Sequence, residues 1–409
     1  MIKCGLLGRR LAHTYSPEIH SYLGEYSYEI FEREPEFLAD FLYHGDFTGI
    51  NVTIPYKKSV LPYCSELTPI ARRLGAVNTI VRRADGSLLG HNTDYFGFLS
   101  LTKRLGIDFH QKKVLILGSG GTSNTVFAVL EDLKATPVVI SRTGENNYHN
   151  LHLHQDAACI INTTPVGMYP ETDGQIIDLG TFPALKAVAD LIYNPARTRL
   201  LIDAEMRGLK TENGLYMLVA QAKQSAEFFT ETMISDTVID SIQDTLARQK
   251  ENIILIGMPG CGKTTVGTAL AKKLNRAFID TDKEIETMCG CSIPEIFRTQ
   301  GEAAFRKRET EVLSKFGKES GLVIATGGGC VTRNENYPLL HTNGRIIWLE
   351  RELDKLPKNG RPLSLTHDLQ TMYAVRKPLY QLFSDESVPN DGSVDDTVNT
   401  ILKILEKPL

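Results

Sequence analysis

A glycine-rich motif from Gly257 to Thr264, of the form G-x-x-x-x-G-K-T, constrains this chain more than any other feature. It follows the apolar run Ile253–Ile256 and precedes a helical pattern over Val266–Leu274, which is the context that a phosphate-binding loop requires. Its glycines let consecutive backbone N–H groups converge on phosphate oxygens at a helix N-terminus. The motif therefore predicts a P-loop in an α/β unit, with nucleotide contacts from Gly260, Cys261, Gly262, Lys263, Thr264 and Thr265.

A second strand-and-glycine unit lies in the first half of the chain. The run Val114–Leu117 ends in Gly118-Ser119-Gly120-Gly121, which is similar to a dinucleotide-binding turn with its third glycine moved. The next strand, Pro137–Ile140, ends in Ser141-Arg142-Thr143 and not in the acidic residue that binds a free ribose 2′-hydroxyl. Because Arg142 suits a 2′-phosphate, the sequence favours NADP(H) over NAD.

The composition excludes several classes of protein. The 409 residues carry 45 Lys and Arg against 49 Asp and Glu, so no bulk attraction to nucleic acid or to an anionic membrane is expected. Seven scattered cysteines form no C-x-x-C pair, which disfavours a zinc or redox centre. The sequence has neither a signal-peptide core nor the roughly 20 apolar residues of a membrane span. We therefore expect a cytoplasmic protein without nucleic-acid or membrane partners.

A domain boundary is expected near residue 250. Residues 230–248 carry apolar side chains at helical spacing, and the polar stretch Gln249-Lys250-Glu251-Asn252 follows. The connector has no Gly/Ser or Pro run, so it lacks the composition of a flexible tether. A chain of 409 residues is long enough for two or three domains of ordinary size.

The motifs behind the P-loop, taken in order, closely resemble those of shikimate kinase over residues 252–409. Taken singly, each has an ordinary structural explanation, such as a helix N-cap for an Asp-x-Asp sequence, but their order behind an intact P-loop favours function. The matching blocks are Phe278-Ile279-Asp280-Thr281-Asp282, Phe305-Arg306-Lys307-Arg308-Glu309, Ala325-Thr326-Gly327-Gly328-Gly329, Gly360-Arg361-Pro362-Leu363, and Arg376 with Tyr380.

This resemblance implies ATP and Mg²⁺, with the metal held by Thr264 and Asp280. It implies that Asp282 orients the attacking hydroxyl, while Arg306 and Arg376 bind a carboxylate, for which a planar guanidinium is well shaped. Arg361, on a lid, would stabilise charge on the transferring phosphoryl group. The triple glycine around Gly328 would bring backbone close to the substrate ring, where a Cβ would intrude.

The N-terminal region closely resembles shikimate dehydrogenase over about residues 1–248. The resemblance implies an acid/base pair, in which Lys57 protonates the carbonyl oxygen and Asp94 anchors the ammonium group. The matching blocks are His13–His20, Asn51–Lys57, Gly75–Thr79, Gly90–Asp94, Asn162–Met168, Asp190–Pro195 and Gly214–Gln221. The implied substrate residues are Thr14, Ser16, Thr53, Asn78, Tyr193 and Gln221, and the implied cofactor residues are Gly118, Ser119, Gly120, Gly121, Ser141, Arg142, Thr143 and Gly214.

The chain departs from both families at a few positions. Thr14 replaces the more usual serine, and Gly144-Glu145-Asn146 lacks the second basic residue frequent near a 2′-phosphate. The segment from Trp348 to Arg361 is shorter than the expected kinase lid. No arginine is expected to stack on adenine, and Lys355 and Lys358 are the available substitutes.

Together the two resemblances imply a bifunctional α/β enzyme. It would reduce 3-dehydroshikimate with NADPH and phosphorylate the resulting shikimate with ATP·Mg²⁺, in aromatic amino-acid synthesis. The expected fold is a substrate domain (1–97 with helices 222–248), a Rossmann NADP domain (98–221) and a P-loop kinase domain (252–409). Two alternatives stay open: an NAD-dependent quinate/shikimate dehydrogenase carrying the same kinase, and a protein in which one half only binds shikimate or ATP. The oligomeric state is left open.

Overall fold

The computed structural model describes residues 2–11, 14–356 and 369–406. They divide into two units, each with its own internal packing. The first comprises Met1–Gly167, Gln175–Tyr193 and Asp203–Thr245, and the second comprises Met168–Gly174, Asn194–Ile202 and Leu246–Leu409. The limits of the three domains given by the sequence remain predictions.

A six-stranded mixed sheet forms the N-terminal part of the first unit. Its elements are β1 (Lys3–Gly8), α1 (Ser16–Ser21), β2 (Ser27–Glu32), α2 (Leu38–His44), β3 (Gly49–Val52), β4 (Glu66–Leu67), α3 (Pro69–Leu74), β5 (Thr79–Arg82), β6 (Leu88–His91) and α4 (Asp94–Leu105). The strand order is β2-β1-β3-β5-β6-β4, with β5 antiparallel to both β3 and β6. Leu7, Leu42, Ile50 and Ile80 pack in its core. Every residue of β3 is buried, so the segment that follows it leaves from a fixed strand.

A five-stranded parallel sheet forms the rest of the first unit. Its elements are β7 (Lys113–Leu117), α5 (Gly121–Asp132), β8 (Thr136–Ile140), β9 (Cys159–Asn162), β10 (Ala187–Asp190), α6 (Arg199–Met206), β11 (Lys210–Asn213), α7 (Leu215–Thr230) and α8 (Thr237–Lys250). The first residues of α6, up to Ile202, and the last residues of α8, from Leu246, belong to the second unit. The strand order is β11-β10-β9-β7-β8, which places the glycine turn after an interior strand that pairs with β8 and β9. The single helical pattern predicted over 230–248 is broken, because Glu231 adopts a left-handed backbone (φ 52°) and ends α7.

A second five-stranded parallel sheet belongs to the second unit. Its elements are β12 (Asn252–Ile256), α9 (Lys263–Leu274), β13 (Phe278–Asp280), α10 (Thr281–Cys289), α11 (Ile293–Gly317), β14 (Val323–Ala325), α12 (Asn336–His341), β15 (Gly344–Glu350), α13 (Leu369–Phe383), β16 (Glu386–Pro389) and α14 (Val394–Leu405). The order β13-β14-β12-β15-β16 makes β12 the central strand. Because all the strands run parallel, the segments after β12, β13, β14 and β15 leave from the same edge, where ligands bind in such folds.

Two segments that precede α8 in sequence pack within the second unit. The Ala196 N–H donates to Asn343 Oδ1 (2.8 Å), and the Arg197 N–H donates to the Thr342 carbonyl (2.9 Å). The Lys318 ammonium donates to the Pro170 carbonyl (3.2 Å). This unit is therefore built from three separate stretches of chain. No helix in the described part of the chain combines the length and apolarity needed to cross a membrane.

Candidate functional site

In the first unit, Lys57 and Asp94 form a close ion pair. Lys57 lies in the turn after β3, and Asp94 is the first residue of α4. The ammonium donates to Asp94 Oδ2 at 2.6 Å, with the two side chains 28% and 13% exposed. The Asn78 side-chain amide donates to the other oxygen, Asp94 Oδ1, at 2.9 Å. The pair is thus oriented by the protein yet open to a ligand, as an acid/base pair requires.

A buried polar network fixes this pair from behind. Ser225 on α7 is fully buried, and its hydroxyl lies 2.9 Å from Thr79 Oγ1 and 3.0 Å from Thr93 Oγ1. The Asn51 amide donates to Ser225 Oγ (2.8 Å), and the Asn78 amide donates to Thr93 Oγ1 (3.0 Å). Since buried polar groups are costly when unpaired, this network holds Asn78 against Asp94. The sequence predicts Asn78 as a site residue, but nothing in it marks these supporting hydroxyls.

The other predicted substrate residues lie in the same unit with differing connections. Gln221 Oε1 accepts from the Asn78 amide (3.4 Å), which joins it to the network. The Thr14 hydroxyl donates to Ser16 Oγ (3.1 Å), and the Tyr193 ring lies 5.1 Å from that of Tyr15. Burial raises the pKa of Tyr193, which keeps its phenol neutral. In the described residues no hydrogen bond joins Thr14, Ser16, Thr53 or Tyr193 to the Lys57–Asp94 pair.

The glycine turn after β7 has the geometry of a phosphate cradle. Gly118 has φ 107°, and a Cβ there would lie 2.9 Å from both Thr163 Oγ1 and Thr164 Cγ2. Gly120 and Gly121 are exposed at the start of α5, with open space where a Cβ would stand. A dinucleotide pyrophosphate can therefore approach the helix N-terminus closely.

The remaining predicted cofactor residues divide into two groups. Ser141 Oγ accepts from the Gly144 N–H (2.8 Å) and shapes the turn that leaves Arg142 and Thr143 exposed after β8. The exposed Arg142 is available to an anion. Gly214 has a packing reason of its own, since a Cβ would collide with the Leu191 carbonyl oxygen.

In the second unit, the P-loop is fully formed between β12 and α9. Its glycines 257, 260 and 262 all have positive φ. The Lys263 ammonium donates to the Gly257 carbonyl (2.8 Å) and the Met258 carbonyl (3.0 Å). The Cys261 side chain is buried, so this residue can offer a nucleotide only its backbone. The Asn390 amide donates to the Cys261 carbonyl (2.6 Å) and fixes the loop from the side of β16.

The two predicted metal ligands lie together beside the P-loop. The Thr264 hydroxyl donates to Asp280 Oδ2 at 2.7 Å. Asp280 also caps α10 by accepting from the N–H groups of Asp282 and Lys283 through Oδ1. A hydroxyl and a carboxylate are oxygen ligands of the kind that Mg²⁺ prefers, so the pair fits that ion.

A cavity of about 480 Å³ opens from the P-loop across the edge of the sheet. It brings together predicted site residues from the motifs that follow β12, β13 and β14 with the predicted Arg306 and Arg376 of α11 and α13. It also includes Arg351, which follows β15 and was not predicted as a site residue. Among its lining residues are Gly260, Gly262, Lys263, Thr264, Thr265, Asp280, Asp282, Arg306, Gly328, Arg351 and Arg376.

Arg306 is held in this cavity by Glu309, a residue that the sequence analysis gave no role. Arg306 Nη1 donates to Glu309 Oε2 at 2.9 Å, and Arg306 Nη2 donates to Glu302 Oε1 at 3.1 Å. Glu309 is fully buried; burial raises its pKa, and the Arg306 charge opposes the rise. Burial alone would lower the pKa of Arg306, but its two carboxylate partners raise it overall. Arg306 is therefore a fixed cation in the cavity wall.

The three consecutive glycines, Gly327 to Gly329, pack closely against side chains of the protein itself. A Cβ on Gly327 would lie 2.5 Å from Glu309 Oε1, and one on Gly329 would collide with the Arg306 guanidinium. The Gly328 carbonyl accepts from Arg376 Nη1 at 3.2 Å and from the Tyr380 hydroxyl at 2.5 Å. These glycines are needed to admit the residues that line the cavity, a reason that the sequence alone did not supply.

Comparisons with known proteins place both halves of the chain. The chain is 33% identical over 264 residues to a shikimate dehydrogenase (NADP(+)) of Clostridium perfringens, covering 59% of this chain and 97% of that protein. The chain belongs to the shikimate dehydrogenase family. Residues 6–80 match the shikimate dehydrogenase substrate binding domain, and residues 259–406 match shikimate kinase. It is thus a fusion of a shikimate dehydrogenase with a shikimate kinase domain, as predicted.

Solved structures of shikimate dehydrogenases are similar to about 60% of this chain. A chorismate mutase/shikimate 5-dehydrogenase fusion protein from Clostridium acetobutylicum is 34% identical, with a TM-score of 0.57, covering 60% of this chain and 97% of its own. Shikimate 5-dehydrogenase from Thermus thermophilus, in complex with NADP(H) and shikimate, is 30% identical, with a TM-score of 0.55, covering 60% and 99%. The predicted fold class is confirmed.

The predicted lid of the kinase half lies outside the described residues from residue 357 onward. This applies to Arg361 and to Lys358. Lys355 is described, and its ammonium pairs with Glu352 (2.8 Å) and Asp391 (3.7 Å) at the surface. Its charge is thus shared between two carboxylates, which makes it a poor substitute for an arginine stacked on adenine.

Gly329→Ala is expected to raise KM for shikimate by about 10–100-fold, the cost of losing a charge-assisted hydrogen bond. The new methyl group would collide with the Arg306 guanidinium and push it out of the cavity wall. KM for ATP and the dehydrogenase rate should stay close to wild type, because the displaced group is not part of the P-loop. Steady-state kinetics with each substrate varied would check this. An unchanged KM for shikimate would show that Arg306 does not bind this substrate.

Proposed function

We propose that this chain reduces 3-dehydroshikimate to shikimate with NADPH and then phosphorylates shikimate with ATP to give shikimate 3-phosphate. The observation that carries the proposal is the presence in one chain of an oriented Lys57–Asp94 pair and an intact P-loop cavity whose lining includes Arg306 and Arg376. The relatives of the first half are named NADP(+)-dependent shikimate dehydrogenases. Shikimate, the product of the first reaction, would be the substrate of the second.

For the reduction, the Lys57 ammonium donates a proton to the carbonyl oxygen as the alcohol forms. Asp94, held by Asn78, keeps that ammonium in place and can accept from a neighbouring hydroxyl of the substrate. Thr14, Ser16, Thr53, Tyr193 and Gln221 supply further hydroxyl and amide groups for a polyhydroxylated carboxylate. NADPH supplies the hydride when bound. Its phosphates fit the glycine turn from Gly118 to Gly121, and Arg142 with Ser141 and Thr143 fits the 2′-phosphate.

For the phosphorylation, Arg306 and Arg376 bind the shikimate carboxylate. Asp282 lines the same cavity as these arginines and the P-loop, where it can accept from and orient the attacking hydroxyl. Lys263 and the P-loop amides bind the phosphates of ATP, and Thr264 and Asp280 hold Mg²⁺, which neutralises phosphate charge when bound. Arg361 is proposed to approach the transferring phosphoryl group from the lid.

One incubation tests both activities. The full chain is supplied with 3-dehydroshikimate, NADPH and ATP·Mg²⁺, and the products are followed by mass spectrometry. The expected result is shikimate 3-phosphate that appears as NADPH is consumed. Accumulation of shikimate alone would reduce the second half to a binding module, and no loss of NADPH would overturn the dehydrogenase assignment. Replacing NADPH by NADH in the same assay tests the NAD-dependent alternative.

A further inference from the structure

Arg351 is a described cavity residue to which neither half of the proposed mechanism gives a role. It directly follows β15, the strand beside the P-loop strand β12, with Ile256 paired to Trp348 in register. Both strands end at the same edge of the sheet, so the P-loop and Arg351 leave from adjacent positions. Its backbone is held on both sides, since Glu350 O accepts from the Asn390 N–H (2.7 Å) and the Glu352 N–H donates to Asp391 Oδ1 (3.1 Å).

The Arg351 side chain lies along the P-loop. It lines the cavity together with Gly260, Gly262 and Lys263. A Cβ built on Gly262 would be 3.8 Å from Arg351 Nη1, so the guanidinium borders the space beside the Gly262 backbone. Asn390 lies closer still to this Cβ position, and its side-chain amide already fixes the loop by donating to the Cys261 carbonyl. The guanidinium thus faces the space in which the loop amides converge.

The Arg351 guanidinium has a buried N–H donor that is unpaired in the described part of the chain. Within residues 2–11, 14–356 and 369–406, its buried Nε has no hydrogen-bond partner and no carboxylate forms an ion pair with it. Other cavity cations differ in this respect: Arg306 has two carboxylates, Arg376 has the Gly328 carbonyl, and Lys263 has two P-loop carbonyls. A buried unpaired N–H of a charged group is costly, and an anionic ligand would remove that cost.

We propose that Arg351 binds the phosphate chain of ATP and so completes the nucleotide site of the kinase half. The planar guanidinium offers several N–H donors to phosphate oxygens that also accept from the P-loop amides. This inference rests on the proposed kinase function. It assigns to a residue at the end of β15 part of the charge neutralisation that would otherwise fall on Lys263.

The test compares Arg351→Ala with wild type in the full chain. We expect KM for ATP to rise by about 10–100-fold, the loss expected for a charge-assisted hydrogen bond. The inhibition constant of inorganic tripolyphosphate, a probe with phosphates and no base, should rise by a similar factor, while inhibition by adenosine should not change. KM for shikimate and the NADPH-dependent rate should stay at wild-type values. Arg298→Ala, which removes an arginine that is 75% exposed, is the matched control.

Several outcomes would overturn the proposal. One is a KM for ATP within twofold of wild type, and another is weaker inhibition by adenosine with tripolyphosphate unchanged, which would place Arg351 at the base. If the alanine variant does not fold, Arg351→Gln carries the same expectation, because it keeps a polar side chain without the charge. If wild type does not phosphorylate shikimate, the proposed function fails, and tripolyphosphate binding by calorimetry still decides the role of Arg351.

Discussion

Lys57→Ala is expected to lower kcat for ketone reduction by about 10²–10⁴-fold, which is the usual contribution of a positioned general acid. The variant lacks the ammonium that lies 2.6 Å from Asp94 and that would protonate the nascent alkoxide. The glycine turn and the loop after β8 are untouched, so NADPH binding should persist. Loss of NADPH absorbance with 3-dehydroshikimate as substrate gives kcat and KM, and fluorescence titration gives cofactor affinity.

The neighbouring lysine supplies the matched control for this variant. Lys58 is exposed and follows Lys57 directly, so Lys58→Ala removes the same charge from the same loop without touching Asp94. It should reduce the ketone at the wild-type rate. The Lys57→Ala protein should also keep its ability to phosphorylate added shikimate. A Lys57→Ala enzyme with an unaltered kcat would remove Lys57 from the catalytic residues.

Lys263→Ala should abolish phosphorylation almost completely, with kcat lower by about 10²–10³-fold or more, as for other preorganised electrostatic groups. Phosphoryl transfer depends on neutralising charge along the phosphates, and Lys263 is the buried cation of the P-loop. The measurement is shikimate 3-phosphate formed per enzyme at saturating shikimate and ATP·Mg²⁺. The dehydrogenase rate of the same protein should be unchanged.

Two checks separate lost chemistry from lost structure in this variant. Lys272→Ala lies on the same helix at an exposed position and should be fully active. The chain has one tryptophan, Trp348, which is buried on β15 with its ring 5.7 Å from that of Tyr380, so its emission reports the folding of this unit. Native emission together with wild-type phosphorylation by Lys263→Ala would refute the P-loop assignment.

The sequence could predict the features that depend on local chemistry. Strand β7 was expected from Val114 and begins at Lys113, and the P-loop has the strand, turn and helix that its glycines imply. The segments after β12, β13 and β14, which carry Lys263, Asp282 and Gly328, meet at one edge because the sheet is parallel. Parallel pairing follows from the alternation of strands and helices, which a sequence displays directly.

The features that the sequence could not predict depend on contacts between distant residues. Ser225 is 174 residues from Asn51, and nothing in a helical pattern marks its hydroxyl as the centre of a network. Glu309 stands in a run of charged helix residues that is typical of a solvated surface, yet it is fully buried against Arg306. Its carboxylate occupies space next to Gly327, where a Cβ would lie 2.5 Å from Glu309 Oε1.

The division of the chain into units bears on how such a fused enzyme can be taken apart. A single cut between residues 245 and 252 would separate the P-loop sheet from Met168–Gly174 and Asn194–Ile202, which belong to the same packed unit. The Thr342 carbonyl and the Asn343 side chain would then lose the N–H groups of Arg197 and Ala196. A kinase fragment cut out in this way would expose polar groups that are hydrogen-bonded in the full chain. The boundary between the two enzyme families along the sequence therefore does not coincide with the division of the chain into packed units.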